Sequence, residues 1–123
     1  MLFRSIVRIL GDHDECRAVL LENVAGLITH DSGKTLSVIE NSLTDLGFSF
    51  DYRVLDAYDF GVPQRRQRIY IVGTRSKRSN SVGRHEMDWN LPRRKHVDIG
   101  PFLESNVHGY EISKHLQIGR AHV

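Results

Sequence analysis

Three short runs of strand-forming residues, joined by a stretch with helical periodicity, constrain the fold of this chain more than any other feature. The run from Ala18 to Leu21 is continuously apolar, as in strands that are buried on both faces of a parallel sheet. Phe48 to Val54 places aromatic and β-branched residues at alternate positions, and Ile69 to Thr74 is dense in β-branched residues. We therefore predict strands near residues 17–22, 48–55 and 67–74 in one sheet.

Apolar residues at helical spacing precede the first and the second of these runs. A first helix is predicted at the start of the chain and ends at Gly11. Its apolar positions are Leu2, Phe3, Ile6, Val7 and Leu10. A second helix is predicted over residues 32–47, packed on a face of the sheet through Leu36, Ile39, Leu43 and Leu46. Asp31 or Ser32 can cap its start, and Gly47 can end it. Helix, strand, helix, strand, loop and strand form an α/β pattern, but only half of a doubly wound sheet.

The third run is preceded by a concentration of arginine, in the stretch from Gln64 to Gly73. Three arginines fall within five residues there, and a strand that begins with Arg66 and Arg68 in alternation would point both side chains to one face. Guanidinium groups at the mouth of a strand suit recognition of a phosphate, a carboxylate or a base carbonyl. The plainer alternative is a solvated edge that discourages aggregation.

A carboxylate and an amide directly follow the first run. Glu22 and Asn23 would lie at the carboxyl end of that strand, where ligands bind in open α/β sheets. A glutamate that ends a buried strand would be partly desolvated, which favours its protonated form and lets it share a proton near neutral pH. The alternative is a structural glutamate that caps the next helix or pairs with an arginine.

The net charge of +2 hides an asymmetry along the chain. Residues 1–60 carry five basic and ten acidic side chains, a balance of −5, whereas residues 61–95 carry ten basic and two acidic ones, a balance of +8. Such a basic block is typical of a surface that meets a polyanion. A solvated loop rich in Lys and Arg is the alternative.

Other kinds of site can be set aside from the sequence. Gly33-Lys34-Thr35 resembles the end of a phosphate-binding loop, but Ile28 stands where that motif requires a glycine. The seven histidines are scattered without metal-ligand spacing. The single cysteine, Cys16, excludes an internal disulfide and fits a reducing compartment, and no apolar run is long enough to span a membrane.

Two motifs, in this order, closely resemble those of the C5-cytosine DNA methyltransferases, which carry a Glu-Asn-Val motif and a Gln-Arg-Arg-x-Arg motif at about this separation. They run from Leu20 to Val24 and from Pro63 to Gly73. The helix that opens with Leu2-Phe3 looks like the preceding family segment, whose leucine, here Leu2, touches the cofactor. The stretch from Asn23 to Thr35 also follows the family pattern. The resemblance covers residues 1–75 strongly and 76–117 weakly.

The resemblance implies a partial Rossmann-like, S-adenosylmethionine-dependent methyltransferase sheet, the second half only, followed by the start of a target-recognition region. Its last strand would be antiparallel, either between the other two or beside one of them at the sheet edge. Residues 1–75 would form the C-terminal half of the catalytic domain. Residues 76–117 would be a linker, up to residue 95, and the start of the target-recognition region. Residues 118–123 match one reading frame of a common sequencing adapter, so we expect a non-native tail.

The resemblance also implies a reaction. Family members add a cysteine thiolate to C6 of a cytosine that has been flipped out of the duplex, which makes C5 nucleophilic, and a methyl group passes from S-adenosylmethionine to C5. Glu22 would hold the flipped base through N3 and the exocyclic amine, and Arg68 would bind its O2 side. Arg66 would steady the catalytic loop or the backbone, with Asn23 and Gln64 in supporting roles.

The chain departs from the family in what its sequence lacks. The nucleophile belongs to a Pro-Cys motif upstream of the segment like Leu2-Phe3, and neither this motif nor a glycine-rich cofactor loop is present in the 123 residues. Cys16 does not match the motif. We therefore expect the middle part of a larger enzyme, inactive by itself.

The predicted function of the parent is a DNA (cytosine-5-)-methyltransferase of a restriction–modification system, in a bacterial or phage-type cytoplasm. It would use S-adenosyl-L-methionine and no metal, and would act as a monomer on double-stranded DNA with a flipped cytosine. Arg93, Arg94 and Lys95 would contact phosphates. A noncatalytic nucleic-acid-binding module and an RNA-directed relative of the same fold are the alternatives.

Overall fold

A computed structural model describes residues 2–75 and 87–105, without the side chain of Leu2. The elements, in chain order, are α1 (Leu2–Asp12), β1 (Ala18–Val24), α2 (Lys34–Asp45), β2 (Ser49–Asp56) and β3 (Gln67–Thr74). Short 3₁₀ turns lie at Ala25–Ile28, His30–Gly33, Ala57–Phe60 and Gly100–Phe102. The predicted order of helices and strands is confirmed, and the predicted loop between β2 and β3 contains one of the 3₁₀ turns.

The three strands form one sheet in the order β1-β3-β2. The last strand is antiparallel to both neighbours and lies between them, which confirms the first of the two predicted arrangements. In this register Val24 of β1 and Leu55 of β2 both lie opposite Arg68 of β3. The carboxyl ends of β1 and β2 therefore meet the beginning of β3 at one edge of the sheet.

One face of the sheet carries the hydrophobic core. Alternate residues of the strands point toward this face, and Phe50, Ile69 and Ile71 are among the buried ones. The buried residues that complete the core are Leu10, Leu36, Ile39, Leu43 and Phe48. The predicted apolar stripe of the second helix is confirmed, since three of its positions are buried and Leu46 packs against them.

The other face of the sheet is largely open in the described part of the chain. Residues of β1 on this face include Leu20, Glu22 and Val24, and the Leu20 side chain is 67% exposed. The prediction that the apolar run of β1 is buried on both faces is therefore wrong for this chain. The physical reason is that the core, with residues of both helices, forms on one side of β1 only.

The start of α2 also differs from the prediction. Asp31 and Ser32 adopt left-handed backbone conformations, with φ of 50° and 54°, within the preceding 3₁₀ turn. The residue at the N-cap is Gly33, with φ of 84°, and no side chain caps the helix. Asp31 and Ser32 are not the cap because they lie two residues and one residue before it. At the other end, Gly47 has φ of 83° just after the helix, as predicted.

Residues 87–98 contain neither helix nor strand, and residues 76–86 of the predicted linker lie outside the described ranges. The first part of this segment lies beside the sheet. The Met87 amide and the Trp89 indole donate to Oδ2 of Asp51, a residue of β2, at 2.7 and 2.8 Å. Two hydrogen bonds to one carboxylate thus hold the segment against the sheet. The last 3₁₀ turn, Gly100–Phe102, follows this segment.

Candidate active site at the start of β3

Glu22 and Arg68, which are both predicted to contact the base, are in direct contact with each other. Nε of Arg68 lies 2.9 Å from Oε1 of Glu22, and Nη1 of Arg68 also donates to the Gln67 carbonyl at 2.9 Å. The register explains this contact, because Arg68 lies opposite Val24, two residues from Glu22 on the same face of β1. Diagonal neighbours in an antiparallel pair are within reach of long side chains.

The ion pair lies on the open face of the sheet. The Arg68 side chain is 23% exposed and that of Glu22 is 48% exposed, so both groups are accessible from outside. Glu22 was predicted to be partly desolvated, and about half of its side chain is exposed because β1 has no cover on this face in the described residues. The alternative in which the glutamate pairs with an arginine is what the structure shows. A carboxylate and a guanidinium together offer acceptors and donors side by side.

Arg66 lies just before β3 rather than within it, since the strand begins at Gln67. Its backbone is fixed by the preceding strand: the Arg66 amide donates to Oδ1 of Asp56 at 2.9 Å, and its carbonyl accepts from the Ala57 amide at 3.2 Å. The same Oδ1 atom accepts from the Tyr58 amide at 3.1 Å. The side chain of Arg66 is exposed.

Asp56 is a site residue that the sequence reasoning missed. Its hydrogen bonds from the Arg66 and Tyr58 amides hold the pKa of the Asp56 carboxyl below its ordinary value. Nη1 of Arg65 lies 4.0 Å from its other oxygen. An aspartate that ends a strand and bonds the amide two residues later is a known turn former, and this local signal was available in the sequence.

Asn23 and Gln64 have modest roles in this geometry. Oδ1 of Asn23 accepts from the Val24 amide at 2.8 Å, and the backbone amide of Gln64 donates to the Val62 carbonyl at 2.7 Å. Asn23 and Glu22 line a cleft of about 270 Å³ beside α1. The other residues that line this cleft are mostly apolar: Phe3, Ile6, Leu20, Leu21, Leu27, Ile39 and Ile71.

The arginines of the basic block, residues 61–95, have different roles in the structure. Arg75 donates from its guanidinium to the carbonyls of Cys16 at 2.6 Å, Leu46 at 3.2 Å and Leu10 at 3.3 Å, and also to that of His13. The same group lies 4.4 Å from the centre of the Phe48 ring. Arg75 is therefore a structural residue that ties α1, α2 and the strands together, and not part of a free polyanion surface.

The three consecutive basic residues of the block are exposed. Nη1 of Arg93 lies 3.4 Å from Oδ2 of Asp59, and the Arg94 amide donates to the Asp59 carbonyl at 2.9 Å. The segment that carries Arg93, Arg94 and Lys95 is thus held beside the turn that precedes β3. The basic residues at positions 77, 78 and 84 lie outside the described ranges.

In residues 2–75 and 87–105, no three His, Cys, Asp or Glu side chains converge as metal ligands would. No described helix has the length and apolar character needed to cross a membrane.

Known proteins with similar sequences all point to one family. The Type II methyltransferase M.MspI of Moraxella sp is 42% identical over 94% of this chain, which covers 26% of that protein. M.BsuFI of Bacillus subtilis is 43% identical over 92% of the chain and 27% of that protein. The chain therefore spans about a quarter of the length of these relatives.

Structure and family comparisons agree with this result. A crystal structure of a DNMT2 mutant from Spodoptera frugiperda matches 73% of this chain and 28% of that chain, with a TM-score of 0.50 and 26% identity. The sequence model of the C-5 cytosine-specific DNA methylases matches residues 1–119. The resemblance carried by the two motifs is thereby confirmed, and the chain belongs to the C-5 cytosine-specific DNA methylase family.

Proposed function

We propose that this chain is part of a DNA (cytosine-5-)-methyltransferase of a restriction–modification system, and that its sheet is the second half of a Rossmann-like methyltransferase sheet. The relatives named as Type II methyltransferases support the activity, and the strand order β1-β3-β2 with an antiparallel middle strand is compatible with the fold. The substrate would be a flipped cytosine in double-stranded DNA, approached by a monomeric enzyme. The DNA of a bacterial or phage host implies action in the cytoplasm.

The contact between Glu22 and Arg68 is the observation that carries this proposal. A cytosine presents an exocyclic amine that donates, a ring N3 and an O2 that accepts. Oε1 of Glu22 and Nε of Arg68 lie 2.9 Å apart, and a bound cytosine would replace this contact. Glu22 would then bind the amine and N3 of the base, and Arg68 would bind O2. One base could reach both residues only because they lie this close. Attack at C6 increases the negative charge on the ring, and the cationic Arg68 and a proton shared with Glu22 would stabilise it.

The remaining candidates have secondary roles in the proposal. Arg66 would steady the catalytic loop or the backbone, a role that its fixed main chain at Asp56 favours. Asn23 would brace the turn that follows β1, consistent with its bond to the Val24 amide. Gln64 would make a structural or DNA-side contact. Arg93, Arg94 and Lys95 would meet phosphates, since all three are exposed.

S-adenosyl-L-methionine is the proposed methyl donor, and it supplies the methyl group that cytosine C5 receives. The described residues fit one wall of its site: the cleft of about 270 Å³ between α1 and β1 is mainly apolar and borders Glu22. Phe3 lines this cleft, which supports the proposal that the Leu2-Phe3 segment contacts the donor. Apolar side chains here would contact the donor and exclude water from the reacting groups.

The test is to recover the flanking coding sequence and assay the full-length protein. We expect purified enzyme and S-adenosylmethionine to produce 5-methylcytosine in duplex DNA, detected by mass spectrometry of the digested nucleosides, and not in single-stranded RNA of the same sequence. An upstream reading frame with no Pro-Cys motif and no glycine-rich loop would refute the enzyme and favour a noncatalytic nucleic-acid-binding module. Methylation of the RNA instead would favour an RNA-directed enzyme.

A further inference from the structure

Asp59, in the 3₁₀ turn Ala57–Phe60 between β2 and β3, contacts three residues of the segment 93–96. Its Oδ2 atom lies 3.4 Å from Nη1 of Arg93, and its Oδ1 atom lies 3.1 Å from Nε2 of His96. Its backbone carbonyl accepts from the Arg94 amide at 2.9 Å. A single residue thus binds the segment 93–96 through both its side chain and its main chain.

The neighbouring residue, Tyr58, connects this segment to the arginine motif. The centres of the Tyr58 and His96 rings are 4.0 Å apart. The guanidinium carbon of Arg65 lies 4.6 Å from the centre of the same Tyr58 ring, a distance typical of a cation–π contact. Arg65 and the segment 93–96 are therefore held around two adjacent residues, although they are distant in sequence.

The backbone of the turn accommodates the basic segment. Gly61 has φ of +85°, and a Cβ atom at this position would lie 3.2 Å from Cδ of Arg94. The bare glycine lets the aliphatic stem of Arg94 pack against the turn. This packing is a second attachment of the segment, independent of the Asp59 carboxylate.

The charge of this junction is positive. Arg65 pairs with Asp56 and Arg93 pairs with Asp59. Arg94 and Lys95 are exposed and add two positive charges. The side chains of Arg65 and Arg93 are 75% and 76% exposed, so each keeps N–H donors directed to solvent. Fixed guanidinium groups with free donors are suited to phosphate oxygens.

We propose that Asp59 is a positioning residue for binding of the nucleic-acid backbone: it fixes the segment 93–96 beside Arg65, so that Arg93 and Arg65 contact phosphates of one strand. The inference rests on the proposed function, because it takes DNA as the partner. It goes further because it assigns to Asp59 a role that increases the affinity for DNA, although the negative charge of Asp59 by itself would repel DNA. Holding the arginines in place lowers the side-chain and segment entropy that binding must otherwise remove.

This role predicts that removing the Asp59 charge weakens DNA binding, whereas charge repulsion alone predicts that it strengthens DNA binding. Removing a negative charge near DNA should strengthen binding if the charge acts only by repulsion. Asp59→Asn should instead weaken binding, by about 3- to 10-fold, because it releases the Arg93 and His96 side chains. Asp98→Asn is the matched control, since Asp98 is exposed two residues after His96 and its Oδ1 accepts from the Gly100 amide at 3.5 Å. That variant should leave binding unchanged or make it slightly tighter.

The experiment measures fluorescence anisotropy of a labelled 20-base-pair duplex with the 123-residue chain over a series of salt concentrations. Arg93→Gln should reduce the salt slope by about one. In the background of Asp59→Asn the same change should cost less affinity, because Arg93 is then no longer held in place. Asp59→Glu, which keeps the charge, should recover most of the loss, and circular dichroism should report the same fold for all variants.

Two results would overturn the inference. Tighter binding by Asp59→Asn, equal to that of Asp98→Asn, would show that Asp59 is only a repulsive charge. Absence of salt-dependent binding by the wild-type chain would show that this surface does not meet a polyanion. Both results are independent of the methylation assay, so a full-length protein without methyltransferase activity would refute the proposed function and leave this binding result standing.

Discussion

At the scale of single residues, the two arginines Arg68 and Arg75 show how different the uses of one residue type are in this chain. Arg68 contacts a carboxylate on the open face of the sheet, where a ligand could replace either partner. Arg75 donates to four backbone carbonyls from α1, the turn that follows it and the end of α2, so four of its five N–H donors are used. The first is suited to binding and the second to stability.

Replacing Arg68 should therefore affect the reaction more than the binding of DNA. In the full-length enzyme, Arg68→Ala should lower the methylation rate at saturating DNA by about 100-fold or more, as loss of one preorganised charge stabiliser does. Glu22→Gln should act similarly, because an amide still bonds the base but cannot share a proton with N3. Rate constants and binding constants are measured for each variant. Arg53→Ala is the control, since Arg53 is exposed opposite Tyr70 on the same sheet.

A different outcome for Arg68 would reassign the site. If Arg68→Ala turned over at the normal rate and lost affinity equally for every DNA sequence, Arg68 would be a phosphate contact. Arg66 would then be the candidate for holding the base.

Replacing Arg75 should affect stability instead. Arg75→Ala leaves several partly buried carbonyls without their donor, so the free energy of unfolding should fall by about 2–4 kcal/mol. Urea unfolding of the 123-residue chain measures this, with Arg4→Ala on the exposed side of α1 as the control expected to change it by less than about 0.5 kcal/mol. Arg75→Lys should recover little, because an ammonium group cannot reproduce the planar fork. An unfolding free energy equal to that of the wild type would contradict this role.

At the scale of the elements, the contact of residues 87–89 with β2 depends on one carboxylate. Burial alone would raise the pKa of Asp51, but hydrogen bonds from the Met87 amide, the Trp89 indole and the Tyr52 amide outweigh it and lower the pKa below 3.8. A lowered folded-state pKa contributes stability that is complete above the unfolded value and is lost as the pH falls through the folded value. The contribution of this contact to stability should therefore be complete above about pH 3.8 and be lost progressively at lower pH, as the pH falls through the lowered pKa of Asp51.

Trp89 is the only tryptophan, so its fluorescence reports on this contact. We expect its emission to shift to the red as the pH falls below about 3.8, at pH values where far-ultraviolet circular dichroism still shows the folded sheet. Asp51→Ala should show the shifted emission at neutral pH, because both donors lose their acceptor. Asp88→Asn, beside the same tryptophan, should behave as the wild type. Unchanged emission in Asp51→Ala would refute the role of this carboxylate.

At the scale of the whole molecule, the chain combines a complete small core with an incomplete reaction site. The core closes on one face of three strands, while the site residues lie on the other face, at the edge where β1 and β2 end. The chain spans about a quarter of its relatives, and its 123 residues contain neither the Pro-Cys motif nor the glycine-rich loop. The groups proposed to bind the base are thus present without the Pro-Cys motif.

The purified 123-residue chain should for this reason have no methyltransferase activity. The measurement is transfer of a radiolabelled methyl group from S-adenosylmethionine to duplex DNA, with the full-length enzyme as the positive control. Cys16 makes a contact with the Ala18 carbonyl at 3.4 Å before β1 and lies outside the site. Methylation that Cys16→Ser abolished would show that this cysteine acts as the nucleophile, contrary to our expectation.

The sequence by itself determined the elements and the family. Periodicities of two and of 3.6 residues are local properties, so Leu36, Ile39 and Leu43 marked the buried face of α2, and the bounds of β3 agreed with prediction at both ends. The order of the two motifs identified the family for the same reason, because residue types and spacings are read directly from the chain. The antiparallel direction of β3 followed from the family resemblance and not from local pattern.

Only the tertiary structure decided which partners the charged side chains have. Glu22 meets Arg68 because the strand register places them diagonally, and a shift by one residue would turn them to opposite faces. Arg75 reaches carbonyls up to 65 positions away, and Asp59 meets Arg93 across 34. The local sequence of β1 likewise did not show that this strand is buried on one face and not on both. The type of a charged residue does not identify its partner, because ion pairs and hydrogen bonds depend on distances that are set when the chain packs.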